Sequence, residues 1–224
     1  MSLRLGATAF MGGTFDPIHN GHIRMAIESC EALGLSSLAL VPAADPPHRD
    51  APQVNAKSRL AMVVESVKDI PQLEVDGREL LRSGRSYSFD TACEFRSELG
   101  GDASLTMIMG ADAFLGFMSW HRWQEFLGVL NILVLARPGW SWPEQGELAT
   151  WVAKHRVGVN DLRSRPSGGL AFLSSRLLDI SASDIRKRLY AGLSIDGLVP
   201  DVVRHYIAQQ KLYVQAEVAL KGDD

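Results

Sequence analysis

Short apolar runs rich in Val, Ile and Leu alternate along the chain with stretches of helical spacing. The runs that read as strands fall at 7–11, 38–41, 73–75, 105–109, 132–136 and 170–173. The middle ones are continuously apolar rather than alternating, the pattern of strands covered on both faces. Between them, 21–33 has helical spacing stopped by Gly34, 55–68 opens on Asn55 as a cap, and 88–99 ends at Gly100-Gly101. Strand and helix alternating over this length predict an α/β fold built on a doubly wound, mostly parallel sheet. The segment 138–169 mixes Trp, Pro, Gly and Arg without a clean period and reads as a peripheral insertion. No internal repeat is present.

Composition narrows the classes. A chain of 224 residues, 46 % of them apolar, suits one large domain or a domain with a small appendage, with a real core. A net charge of -3 and a pI near 6.1 argue against a nucleic-acid binder with a basic face, which shows a domain pI above ~9. A small anionic ligand needs only a few local cations and stays open. The two cysteines, Cys30 and Cys93, form no CxxC pair, so a cysteine zinc site is not expected and reduced cytosolic thiols are. The N-terminal apolar stretch is too short for a signal-peptide core, and VLNILVLA at 129–136 falls short of the ~18 residues a membrane helix needs. These features predict a cytoplasmic protein with small-molecule partners and neither membrane nor nucleic acid, and leave homo-oligomerisation open.

The segments at the strand ends matter more. GGTFDPIHNGH, PAADPPHR, GAD, RPG and ISASDIR each come directly after a predicted strand. In a parallel sheet the carboxyl ends of the strands share one edge, and ligands bind in the crevice there. These five polar segments are therefore expected to converge.

GGTFDPIHNGH (12–22) is neither GxGxxG nor a Walker loop. Its glycines allow a tight turn and a close backbone approach to a ligand. His19 and His22 lie three apart at a helix start, on one face, where orphan N–H groups and the dipole attract phosphate. No third ligand accompanies the pair, so no protein-built metal site is expected. In ISASDIR (180–186), Ser183 reads as the helix cap and Asp184 suits the first turn. Arg186 opposes the dipole by ~0.3–1 kcal/mol, a cost that a bound anion would reverse. Taken alone, this segment reads more readily as a capped surface helix whose Arg186 extends into water.

GGTFDPIHNGH with a distal ISASDIR resembles the nucleotidylyltransferase superfamily marked by HxGH and ISSTxxR. His19, Gly21 and His22 match the first motif, and Ile180, Ser181, Ser183 and Arg186 the second. Ala182 replaces the usual Ser, and Ser183 the usual Thr. Within the superfamily the chain is similar to bacterial nicotinate mononucleotide adenylyltransferases. PAADPPHR (42–49), RSYSFDT (85–91), GAD (110–112), SWHRW (119–123), RPG (137–139) and LVPDVVRHYI (198–207) carry that likeness in order along nearly the whole chain. Only 140–169 matches no motif, and Arg49 stands where many relatives have Lys.

The resemblance implies a Rossmann-like nucleotidylyltransferase domain over 1–224, with 140–169 peripheral and 181–224 a helical C-terminal part. It implies an enzyme that transfers the adenylyl group of ATP to nicotinate mononucleotide by direct displacement, with Mg2+ accompanying ATP. His19, His22 and Arg186 would be catalytic. Gly13, Thr14, Phe15, Gly110, Asp112, Ile180, Ser181 and Ser183 would bind ATP. His48, Arg49, Tyr87, Ser88, Trp120 and Arg137 would bind the acceptor. In this scheme Trp120 stacks on the pyridine ring, Trp123 belongs to the core, and the Tyr87 and Ser88 N–H groups receive the nicotinate carboxylate. The rivals are a phosphopantetheine adenylyltransferase, a cytidylyltransferase, and a non-catalytic nucleotide sensor, against which intact His19, His22 and Arg186 count.

Overall fold

The computed structural model describes residues 9–46, 51–136, 139–140, 143–176 and 178–214. Six parallel strands form one sheet: β1 (Ala9–Gly13), β2 (Leu38–Pro42), β3 (Leu73–Val75), β4 (Thr106–Gly110), β5 (Asn131–Ala136) and β6 (Leu170–Ser174). Their order is β3-β2-β1-β4-β5-β6, the doubly wound arrangement predicted from the alternation of elements.

The continuous apolar runs supply both faces of the sheet in turn. Met11, Leu40, Ile108 and Leu133 point into one core layer, and Phe10, Val41, Met107 and Val134 into the other. The first layer is covered by α1 (Asn20–Leu33), α2 (Ala56–Val67), α8 (Ala182–Tyr190) and α9 (Asp201–Gln209), which bury Ile23, Met62, Ile185 and Val203 among others. The second is covered by α4 (Ser88–Leu99), α5 (Ala111–Leu115) and α6 (Phe126–Val129), whose Phe89, Phe95, Phe114 and Phe126 make it largely aromatic. Each such residue contributes roughly 1.5–3 kcal/mol by leaving water, so the pattern must satisfy both layers at once.

Local signals set the helix limits. Asn55 Oδ1 accepts the Ser58 N–H at 2.9 Å and starts α2. Gly34, at φ 58°, closes α1 in the left-handed conformation that glycine adopts without strain. One assignment moves: α8 is capped by Ser181, whose side chain accepts the Asp184 N–H at 3.1 Å, and not by Ser183, which lies inside the helix. Ser181 has the extended backbone a cap requires, with φ -125° and ψ 144°.

The segment between β5 and β6, expected to be irregular, holds α7 (Glu147–His155) and a 3₁₀ turn, Val159–Ser164. Leu162 of that turn is fully buried. The buried Asn131 side chain receives the Gly169 N–H and donates to Arg165 O, both at 2.9 Å, tying the segment to β5. One further short helix, α3 (Arg78–Leu81), follows β3. Among the described residues, no helix is long and apolar enough to cross a membrane.

Candidate active site

The strand order reverses between β1 and β4, and their carboxyl ends open into a cavity of about 960 Å³. His19, His22, Arg186, Gly13, Thr14, Phe15, Gly110, Asp112, Ile180, Ser181, Ser183, Tyr87, Ser88 and Trp120 all line it. His48, Arg49 and Arg137 lie outside the described residues. The volume is at the upper end of the ~300–1,000 Å³ usual for ligand sites, large enough for two ligands side by side.

One half is built around the turn after β1. Phe15 takes φ 49°, unusual for a residue with a side chain, and its ring folds back over Gly13. A Cβ at Gly13 would meet that ring at 2.8 Å, so any larger residue here would have to displace the Phe15 ring. His19 is the cap of α1, and its Nδ1 accepts the His22 N–H at 3.3 Å. That bond places the His19 proton on Nε2 when the ring is neutral. The two imidazoles stack with centroids 3.6 Å apart, and the Phe15 ring meets His22 edge-on at 5.0 Å. At Gly21 a Cβ would stand 3.0 Å from His19 Nδ1, crowding the capping ring, while Ile180 O of the second motif lies in ordinary contact range at 3.6 Å.

Burial drives His19 down from 6.5 to about 4, so the ring is neutral at pH 7 and acts as a hydrogen-bond donor. Between pH 6.5 and 4 the unfolded chain protonates this ring and the folded one does not, so stability falls as pH falls through that window. The share due to His19 is about 2 kcal/mol at pH 5, since each pH unit below 6.5 costs ~1.36 kcal/mol. His19→Asn keeps a capping acceptor but cannot titrate, and urea unfolding at pH 7 and pH 5 should show a shallower loss in the variant. Equal slopes in the two proteins would overturn this account.

Beneath the turn lies a group of residues not anticipated from sequence. Asp16, buried, takes the Tyr213 hydroxyl at 2.6 Å and the Gln53 N–H at 2.9 Å. Arg186 Nη1 donates to the Asp16 carbonyl at 2.7 Å and its Nη2 to Ser183 Oγ at 3.3 Å, which orients the guanidinium in the cavity wall. Arg59 is fully buried and donates to the carbonyls of Thr14 at 2.5 Å, Val54 at 3.0 Å and Ala44 at 3.1 Å. Desolvation lowers the Arg59 guanidinium from its ordinary range, while the nearby Asp16 carboxylate opposes the shift. The Tyr213 hydroxyl is pushed up by burial and by its bond to Asp16, and stays protonated.

The other half is formed by the start of α4 and the turns around Trp120. The Tyr87 N–H is engaged with Arg85 O at 3.1 Å. The orphan donors of this helix start are therefore on Ser88 and Phe89, in the first turn, rather than on Tyr87 and Ser88. The Tyr87 ring instead packs on His121 at 4.3 Å, which also borders the cavity. Trp120 lines the cavity with its ring against Phe117 and Phe126, at 5.7 and 6.2 Å. Trp123 turns away and packs on Phe117 and Trp151. Asp112 is exposed in the first turn of α5, beside Gly110 at the end of β4.

The chain is similar throughout to proteins already described. The model of the cytidylyltransferase-like family matches residues 10–188. A protein of Pseudomonas putida (strain W619) named "Probable nicotinate-nucleotide adenylyltransferase" is 46 % identical over 203 residues, covering 91 % of this chain and 93 % of its own. A protein of Cellvibrio japonicus (strain Ueda107) with the same name is 43 % identical, covering 90 % and 96 %. The chain belongs to the nicotinate-nucleotide adenylyltransferase family. Its fold is shared at much lower identity. The nicotinic acid mononucleotide adenylyltransferase of Plasmodium falciparum, solved with NaAD, has a TM-score of 0.69 at 16 % identity over 92 % of this chain and 96 % of that one.

Against the ISSTxxR pattern of the family, the substitution at Ala182 is structurally mild. Ala182 is the first residue of α8, the cap is on Ser181, and the hydroxyl facing Arg186 is on Ser183. The residues missed from sequence left unequal signals. Arg59 falls in step with Met62, Val63 and Val67 on the buried face of α2, so a cation on an apolar stripe was there to be read. Tyr213 left none, being 197 positions from its partner.

Proposed function

We propose that this cavity joins ATP to nicotinate mononucleotide, giving nicotinate adenine dinucleotide and pyrophosphate, a step in NAD biosynthesis. The observation that carries this reading is the division of one cavity into two unlike halves. One half has the glycine turn, the stacked histidines and Arg186; the other has an aromatic ring beside a helix start. The acceptor phosphate attacks the α-phosphorus of ATP, a new P–O bond forms, and pyrophosphate leaves with the electrons of the broken one. Such chemistry depends on aligning two anions and stabilising developing charge. His19 Nε2–H, His22, Arg186 and the backbone N–H groups of Gly13–Phe15 do this on the ATP side, with Asp112 beside the ribose. On the other side, Trp120 stacks on the pyridine ring, the Ser88 and Phe89 N–H groups take its carboxylate, and His48, Arg49 and Arg137 hold the acceptor phosphate.

Magnesium suits ATP chemistry, but the described residues contain no group of three or more His, Cys, Asp or Glu side chains able to hold a metal. The Asp16 carboxylate is already occupied by Tyr213 and Gln53. The ion would be carried by the phosphates of ATP and by water, and would offset charge on the pyrophosphate. A cytoplasmic setting fits the two free thiols, Cys30 buried and Cys93 exposed.

The test is pyrophosphate release from ATP with nicotinate mononucleotide, nicotinamide mononucleotide and phosphopantetheine in turn. The neutral amide lacks the charge that N–H donors stabilise and adds a donor they cannot pair, each worth ~1.5–3 kcal/mol. The acid should be preferred by about 10²-fold or more. Trp120→Ala should weaken both pyridine acceptors by ~1–3 kcal/mol and leave their ratio. Equal use of the amide, or preference for phosphopantetheine, would overturn the assignment.

A further inference from the structure

Beyond α9 the chain returns to the phosphate half of the cavity. The Leu212 N–H closes the helix on Ile207 O at 3.0 Å, and Lys211 takes φ 50°. A left-handed residue is common at a helix end. Tyr213 takes φ 56° two positions further on, beyond the cap. A bulky residue keeps such a conformation only where its surroundings enforce it. The Tyr213 ring is buried in the core layer of α2 and α9, and its hydroxyl donates to Asp16 Oδ1 at 2.6 Å.

Asp16 passes this contact on to Arg186. Its Oδ2 accepts the Gln53 N–H at 2.9 Å, and its backbone carbonyl accepts Arg186 Nη1 at 2.7 Å. Arg186 and Tyr190 lie four apart on one face of α8. The Tyr190 hydroxyl donates to Gln53 Oε1 at 2.6 Å. The face of α8 that carries Arg186 is therefore tied twice to the Asp16–Gln53 pair, once directly and once through Tyr190. A phenylalanine at 213 would fill the same space and leave Oδ1 buried without its hydroxyl donor, a costly state for a carboxylate. The cations facing this pair are the guanidinium groups of Arg59 and Arg186. Arg59 is already committed to the carbonyls of Thr14, Val54 and Ala44. The unsatisfied carboxylate would then draw Arg186 off the Asp16 carbonyl and away from the cavity.

We propose that Tyr213 is a positioning residue for Arg186: by satisfying the Asp16 carboxylate it keeps the guanidinium on the Asp16 carbonyl and turned to the phosphates of ATP. The proposal rests on the adenylyl-transfer reading, in which Arg186 meets ATP. A merely structural contact would lower stability and leave the work of Arg186 unchanged.

Steady-state kinetics on Tyr213→Phe, alone and combined with Arg186→Ala, test this, with Val203→Ala as the control for stability. Tyr213→Phe keeps the ring and removes the donor. It should lower kcat/KM for ATP by about tenfold or more, the size of one lost hydrogen bond to a charged group. The KM for nicotinate mononucleotide should stay within about threefold of wild type. In the Arg186→Ala background no guanidinium is left to position, and the same change should cost less than about twofold. Val203 is fully buried in α9, so Val203→Ala should lower the urea midpoint yet keep kcat/KM for ATP within about threefold. Wild-type kcat/KM for ATP in Tyr213→Phe overturns the proposal. So do losses that multiply in the double variant, which would put the hydroxyl to work apart from Arg186. A control that loses as much activity as Tyr213→Phe, or failure of Tyr213→Phe to fold, assigns the contact to stability alone and also overturns it. A wild type that releases no pyrophosphate from ATP with nicotinate mononucleotide would instead sink the proposed function, and this inference with it.

Discussion

Replacing His22 with alanine should lower kcat by about 100-fold or more, because one preorganised donor to developing charge is worth ~2.7–4 kcal/mol. The geometry makes the ring a specific donor. It is stacked on His19 at 3.6 Å and braced by the edge of Phe15 at 5.0 Å, which would present it to the phosphates of ATP in a set orientation. The KM for ATP should move much less, since the contact strengthens as the α-phosphorus is attacked. Stability should change little, because the ring is only half-buried at the cavity wall. Single-turnover kinetics with ATP and nicotinate mononucleotide would isolate the chemical step. A variant with near wild-type kcat would remove His22 from the mechanism, and a large loss of stability would give it a structural role instead.

Arg186→Ala should cost still more, about 10³-fold in kcat/KM for ATP, the lower end of what an arginine contributes to phosphoryl transfer. Arg186→Lys should recover only a small part of this. The guanidinium is held at two points, with Nη1 on the Asp16 carbonyl and Nη2 on Ser183 Oγ. A lysine carries the charge on one nitrogen and cannot hold both points while facing a phosphate. Full activity in the lysine variant would show that charge alone matters, and full activity in the alanine variant would remove Arg186 from the site.

The sheet is legible in the sequence because its strands have to be apolar on both faces, and the resulting apolar runs are too short for buried helices and end on Gly or Pro turns. The helix limits at Asn55 and Gly34 are legible because a cap is a local matter of one residue and its neighbours. Ser183 passes for the cap of α8 since Ser181 and Ser183 carry the same hydroxyl, and only the backbone angle at Ser181 separates them. The Tyr87 N–H passes for a free donor for a similar reason: its use by Arg85 O belongs to a turn whose shape no spacing reveals. The phosphate half is readable as motifs because its groups lie within a few positions of each other. Its foundations are not, because Asp16, Arg59 and Tyr213 meet only after the chain has closed on itself.

That last contact bears on when activity begins during synthesis. Asp16 leaves the ribosome early, yet its Tyr213 partner follows 197 positions later, and Arg186, which grips the Asp16 carbonyl, follows 170 later. Contacts of such separation form only once the intervening chain is available to close them. β1, which carries the phosphate turn, also lies between β2 and β4 and must wait for both neighbours. A nascent chain stalled between Arg186 and Tyr213 therefore holds the motif residues without the Tyr213 support, and ATP should be left untouched until Tyr213 has emerged.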